Sequence, residues 1–332
     1  MGVLGRPPPE PLRGGRAGGR DGGTLSGALL LGPAACLGSA ALWALSANVY
    51  TRAAHASSPV AVNFMRASLS LPLFLAAALA TDPRALGLVT PGRAGWLLLS
   101  VVGSYVVGDA LFLASARLLG VPVALAIAST YPLWSAFAGW AFLGQRVAPA
   151  GLAGVALVVA GVVTVVRRRG DPDTGGEPGA AAALPGSGHG AGVALAFATS
   201  LFWALNTFAI ARGGAGLPVA AVNTFRMGFA AALIPLGRLL LRGRRTPLLV
   251  PAREMRRAWP WFILESVGGT ALFVVGLTHS PLAVAAALTS LAPVLSVPFA
   301  VVIGRERLGA RVVAGIAVVT AGIVLLVAFG RG

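Results

Sequence analysis

The chain has 332 residues, 56% of them hydrophobic and only 11% charged, with a mean hydropathy of +0.82. So little charge cannot coat a water-soluble domain of this size, which excludes a soluble enzyme. All 26 basic residues are Arg, and with 10 acids they give a net charge of +16. They lie mostly in short gaps between long apolar runs, the pattern of membrane loops; a nucleic-acid binder would cluster them on a polar domain. The single cysteine, Cys36, sits inside an apolar run, so there is no disulfide framework and no CxxC metal site. We expect no metal and no cofactor.

In chain order, residues 1–27 are rich in Gly, Pro and Arg and predict a disordered tail. A bilayer core is crossed by about 20 apolar residues per helix. Ten runs of that size follow, at about 28–51, 60–80, 94–114, 121–143, 150–167, 191–211, 218–240, 259–277, 283–303 and 310–329. The first is longer than the core of a signal peptide and resembles the later ones, so it reads as a retained helix. Two interruptions are long: a polar, Gly/Ala-rich linker at 168–190 and a basic loop at 241–258. The linker divides the chain into helices 1–5 (residues 28–167) and helices 6–10 (residues 191–329).

The halves repeat at an offset of 160 to 161 residues. LWALSANVYTR (42–52) matches FWALNTFAIAR (202–212), VNFMR (62–66) matches VNTFR (222–226), and GDALF (108–112) matches GTALF (269–273). Pro132 falls on Pro293, Gly154 on Gly315, and Gly161 on Gly322. A repeat with an odd number of spans enters the membrane from opposite sides in its two copies. The expected fold is therefore an all-α integral membrane protein of ten transmembrane helices, arranged as two inverted-topology five-helix repeats. Secondary transporters use that arrangement, with their binding site near the midplane between the halves.

The stretch GDALFLASARLLGVPVALAIASTYPLWSAFAGWAFLGQRVAPAGLAGVALVVAGVV (108–163) resembles the end of an EamA domain of the drug/metabolite transporter superfamily. Its partner in the second half is GTALFVVGLTHSPLAVAAALTSLAPVLSVPFAVVIGRERLGARVVAGIAVVTAGIV (269–323), and the resemblance covers roughly residues 28–329. Members usually carry Gly-Glu-Arg after the fourth helix of each repeat; this chain has Gly144-Gln145-Arg146 and Arg305-Glu306-Arg307. The resemblance implies both termini in the cytoplasm. With intramembrane Arg66 and Arg226 set aside, however, the terminal side carries 9 Arg and the opposite side 15, so the positive-inside rule points the other way. The family orientation is the one expected here, because two long loops supply most of the excess.

An ionisable group inside the bilayer costs at least about 2.5 to 3.5 kcal/mol, so each one needs a partner or a purpose. Four stand within the spans: Arg66, Asp109, Arg226 and Glu265. Arg66 and Asp109 come out at similar depth, roughly 8 to 9 Å from one face at about 1.5 Å per residue. They can form either a structural ion pair or a direct contact to substrate. In the second half Asp109 aligns with Thr270, so Arg226 either holds a carboxylate or phosphate with its planar fork or snorkels to the interface. Glu265, with Ser104 as its counterpart, is either a site that loads and releases the coupling proton or an acid reaching water beside Trp259.

Trp43 and Trp203, Asn63 and Asn223, and Asn48, Asn206, Tyr105 and Tyr131 supply aromatic faces and hydrogen bonders for a small amphipathic solute, or else pack helices. Pro132 and Pro293, inside helices 4 and 9, are candidate hinges. His55, His189 and His279 lie in loops and make poor metal ligands. Glycine faces on helices 5 and 10 suit close packing, within the chain or in a dimer. A P-loop is impossible without Lys, and the chain has no HExxH or paired-Asp cluster for an intramembrane enzyme.

The expected function is secondary transport in the plasma or inner membrane, in the first place export of amino acids, related amphipathic metabolites or drugs by alternating access. A facilitator or importer and a non-transporting structural protein are the alternatives. The expected partners are a small-molecule substrate and the lipid bilayer, without nucleic acid, for a monomer or homodimer.

Overall fold

The computed structural model describes residues 22–53, 57–119, 127–128, 130–146, 148–167, 189–240, 247–292, 294–295 and 310–329. Among them every regular element is a helix. In the first half these are α1 (Gly22–Ala53), α2 (Pro59–Thr81), the single turn α3 (Arg84–Gly87), α4 (Pro91–Val101), α5 (Gly108–Leu119), α6 (Tyr131–Leu143) and α7 (Pro149–Arg167). In the second half they are α8 (His189–Gly213), α9 (Val219–Leu240), α10 (Ala252–Ile263), α11 (Thr270–His279), α12 (Leu282–Thr289) and α13 (Ala310–Phe329). Two π-helical turns, Val102–Val106 and Leu264–Gly269, join α4 to α5 and α10 to α11.

Local chemistry sets the ends. Ser58 and Thr90 accept hydrogen bonds from Ala61 N (3.1 Å) and Arg93 N (3.4 Å), and Pro59 and Pro91 follow them at the first helical position, where no N–H is needed. α6 stops at Gly144, whose φ of 64° is open to a residue without a Cβ.

Three expectations change. α1 starts at Gly22, so the last residues assigned to the tail belong to the helix. The span expected from 259 starts at Ala252, inside what the composition marks as a basic loop. The reason is amphipathicity: Arg253, Arg256 and Arg257 are exposed, while Ala258 and Phe262 are buried and Met255 packs against them. Finally, Pro132 is not inside a continuous helix. It occupies the first turn of α6 after a turn at Thr130, where its missing N–H breaks no bond. Pro293 lies outside the described residues, as do His55 and the Arg305-Glu306-Arg307 segment.

Five stretches are long and apolar enough to cross a membrane, among the described residues: Val60–Thr81, Pro91–Phe112, Gly190–Gly213, Val219–Leu240 and Ala252–His279. Shorter apolar helices run over Leu30–Ser46 and Pro149–Gly161. Polarity is turned outside in. Phe137, Trp140, Phe142, Leu79 and Leu240 are exposed, while Arg226, Asn223, Glu265 and several Ser and Thr are buried. This is a multi-pass membrane protein, because only a hydrocarbon solvent rewards that distribution.

The helices pair across the two halves. α2 lies against α9, α6 against α12, and α7 against α13; α1 packs on α10, the second π turn and α11, and α8 packs on α4, the first π turn and α5. The contacts are reciprocal residue by residue. The Trp43 ring covers Gly269 and sits 5.2 Å from Phe273, while the Trp203 ring covers Gly108 and sits 5.6 Å from Phe112. On the periphery Gly161 meets Val319 and the Gly315 carbonyl, and Gly322 meets Val158 and the Gly154 carbonyl. The glycine faces of helices 5 and 10, offered by the sequence as a possible dimer contact, are thus occupied within the chain.

Candidate functional site

Two guanidinium groups, one from each half, are held inside the bundle. Both arise from the same pattern, Val-Asn-x-x-Arg, which places Asn three residues before Arg on one helical face. On α2 Arg66 donates through Nη1 to Asn63 Oδ1 at 2.9 Å; on α9 Arg226 donates through Nη1 to Asn223 Oδ1 at 3.2 Å. Beyond that shared step the two sites diverge.

Arg66 pairs with Glu265 of the second π turn, Nη2 to Oε1 at 2.8 Å, and stands 5.3 Å over the Tyr105 ring on the first. Glu265 takes the place that equal depth offered to Asp109. Asn63 links Arg66 to Asp109, donating through Nδ2 to Asp109 Oδ2 at 3.2 Å, and Trp203 Nε1 donates to Asp109 Oδ1 at 3.3 Å. Equal depth brought the right residues to one level, but their rotation about the helix axes chose the pairing. Glu265 likewise departs from the interfacial alternative: it is only 6% exposed, and the early start of α10 puts it 13 residues into its span.

The π turns build this level. An inserted residue widens the helix and frees carbonyls, so a π turn needs outside donors. Ser39 on α1 supplies one, donating to the Gly269 carbonyl at 2.7 Å. Ser266 donates to the Phe262 carbonyl, and its hydroxyl meets that of Ser70, next to Arg66 by one helical turn, at 2.5 Å.

Around Arg226, which is 2% exposed, the acceptors are all neutral. Nε donates to Ser100 Oγ at 3.0 Å, Nη1 to Asn223, and Nη2 to Asn206 Oδ1 at 3.2 Å. The place of Asp109 is taken by buried Thr270 and that of Glu265 by Ser104, so neither counterpart can supply a charge. Snorkelling to the interface, one of the two sequence readings for Arg226, does not describe this buried, laterally bonded side chain.

Among the candidate residues, Asn63, Arg66, Asp109, Trp203 and Glu265 thus form one network, and Asn206, Asn223 and Arg226 a second. Both networks draw on α8, through Trp203 and Asn206. Tyr131 is buried and ties α6 to α12: its hydroxyl lies 2.8 Å from the Ala286 carbonyl and 3.0 Å from Thr289 Oγ1. Its ring meets Trp203 edge to face at 6.2 Å. Trp43 sits on the glycine that ends the second π turn. Asn48 belongs to α1, and its side chain lies outside the described residues. His279 ends α11, its Nδ1 within 2.9 Å of both Thr278 Oγ1 and the Val275 carbonyl, a local arrangement.

The sequence reading did not single out Ser70, Ser100 and Ser266, because serines in apolar helices usually bond back to their own backbone and leave no pattern. Gln145, noted only as a departure from the usual Glu, caps α12 from the other half, its Oε1 accepting the Leu282 N–H at 2.8 Å.

The model of the EamA-like transporter family matches residues 30–167 and 190–328. A solved structure, titled only as a crystal structure of a protein, is similar at 22% identity with a TM-score of 0.71, over 90% of this chain and 96% of its own. At that identity the likeness concerns the fold. No curated protein matches the chain.

Proposed function

The chain belongs to the EamA-like transporter family, and from that premise we propose that it is a secondary transporter exporting small amphipathic metabolites, such as amino acids, or drugs across the plasma or inner membrane. The transport unit comprises ten helices, in two five-helix repeats of opposite orientation spanning about residues 28–167 and 191–329. Alternating access is a rocking of these repeats about the solute.

The observation that carries the reading is the ion pair between Arg66 of one half and Glu265 of the other, 2.8 Å long and buried at the level of both π turns. A transporter of this kind needs interactions that differ between its two states. A charge pair across the halves supplies one, because any rocking that separates α2 from the second π turn must give each charge a new partner. The reciprocal seating of Trp43 and Trp203 supports two similar end states, since each half presents the other with the same surface.

In this mechanism the solute enters beside Trp43, Trp203 and Tyr131, with Asn48, Asn206, Asp109 and the two arginines as polar contacts, and Pro132 and Pro293 serve as hinges. Glu265 couples flux to the proton gradient: protonation releases it from Arg66, and re-pairing resets the cycle.

The test is uptake by proteoliposomes of the full chain from a labelled panel of amino acids, organic acids and cationic drugs, with and without an imposed pH gradient. Glu265→Gln should abolish gradient-driven accumulation while leaving solute exchange intact. Equal loss of both, or of neither, removes Glu265 from coupling. Flux that ignores the gradient in the unaltered protein identifies a facilitator.

A further inference from the structure

We propose that Arg226 and Asn223 form a binding site for one small monovalent anion, either a carboxylate group of the transported solute or a resident inorganic anion such as chloride. The solute arm rests on the transporter reading above; the inorganic arm stands without it.

The argument begins with donors. A guanidinium has five N–H bonds and no acceptor. Ser100, Asn223 and Asn206 take three of them, which leaves two. Because the guanidinium only donates, Asn223 must turn Oδ1 toward it, so its Nδ2 cannot be exchanged into that place. Nδ2 is buried on a fully enclosed residue and has no hydrogen-bond partner among the described residues. The groups left unused on Arg226 and Asn223 are therefore donors, on or beside a positive charge. A buried donor without an acceptor has lost its water and gained nothing in return, and a charged donor loses most.

The other half shows what such a pair accepts. There the equivalent amide, Asn63 Nδ2, donates to the carboxylate of Asp109, and the equivalent guanidinium meets the carboxylate of Glu265. In the second half both carboxylates are replaced, by Thr270 and Ser104, while the Asn and Arg that would face them are kept. A ligand carrying one negative charge and oxygen or halide acceptors restores the missing interaction. A neutral ligand leaves the buried charge uncompensated, and a dianion reverses it. Bonds to the guanidinium and to the amide together make a charge-assisted, two-point contact.

The experiment titrates the purified full-length protein with sodium acetate and, separately, sodium chloride, ionic strength being held with sodium sulfate. The readouts are the unfolding midpoint and tryptophan fluorescence, Trp203 lying one helical turn from Asn206. A saturable response is expected. Acetate alone assigns the site to a solute carboxylate; a response to chloride assigns it to an inorganic anion. Asn223→Asp supplies an internal carboxylate to Arg226, so it should raise the unfolding midpoint without added anion and weaken the saturable response at least tenfold. No saturable response in the unaltered protein, or an unchanged response in Asn223→Asp, overturns the proposal. Solute flux measured in parallel separates the two readings: flux without an anion response removes the site and leaves the transporter, and the converse does the reverse.

Discussion

Arg66 meets Glu265, Asn63 and the Tyr105 ring, and its removal tests what a buried charge pair contributes. Arg66→Leu leaves Glu265 enclosed without its cation, which should cost about 3 to 5 kcal/mol. Arg66→Leu combined with Glu265→Leu removes both charges and should recover most of that, leaving about 1 to 3 kcal/mol for the Asn63 oxygen that loses its donor. Unfolding midpoints of the two variants in detergent measure the difference. If the double variant is as unstable as the single, the pair is not the main interaction of either residue. At this scale the sequence was informative about membership and poor about partners. Rarity of charge marked Arg66, Asp109, Arg226 and Glu265 at once, and the rise per residue gave their depth. Pairing depends on azimuth, which changes by about 100° per residue, so an error of one position turns a side chain away from its partner.

Helices α7 and α13 meet through glycine, and here the tolerance is small. A Cβ on Gly161 would stand 2.8 Å from Val319 N and 3.0 Å from the Gly315 carbonyl, and one on Gly322 would stand 2.8 Å from Val158 N. Those neighbours are backbone and cannot rotate aside, so Gly161→Ala and Gly322→Ala should each cost about 1 to 3 kcal/mol by forcing the helices apart. Gly95 on α4 has open space around its Cβ position, and Gly95→Ala should instead stabilise the chain by about 0.5 to 1 kcal/mol. Thermal unfolding of the three variants checks both signs. The glycine faces were legible in the sequence because they recur at the repeat offset. The π turns were not. Val102–Val106 and Leu264–Gly269 look like ordinary apolar helix, since the extra residue changes the hydrogen-bonding register without demanding a particular side chain. Nor was the first turn of α10 legible, because its three exposed arginines masked the apolar stripe behind them.

At the scale of the molecule, two halves of similar sequence face each other through equivalent surfaces, and this was the most legible level of all. An offset of 160 to 161 residues, read from short matches, made Trp43 and Trp203 repeat equivalents, and the structure gives each a glycine seat on the other half. Orientation is the level where the signals oppose each other, with 15 Arg on the side away from the termini and 9 on the terminal side. In the proposed orientation residue 332 is cytoplasmic and the 168–190 linker external. With Cys36→Ala as background, Gly170→Cys should react with a membrane-impermeant maleimide in intact cells and Gly332→Cys should not. The opposite labelling reverses the molecule and makes the arginine-rich side cytoplasmic.

The seating of each helix-one tryptophan on the other half has a consequence for synthesis. When the ribosome has released the first half, the seat for Trp43 at Gly269 and Phe273 does not yet exist, and Gly108 has no indole to cover it. The newborn half must wait in the bilayer with a gap along α1 and another along α5. Both seats close only once Trp203, Gly269 and Phe273 have been made, so completion of the core is a late event in translation.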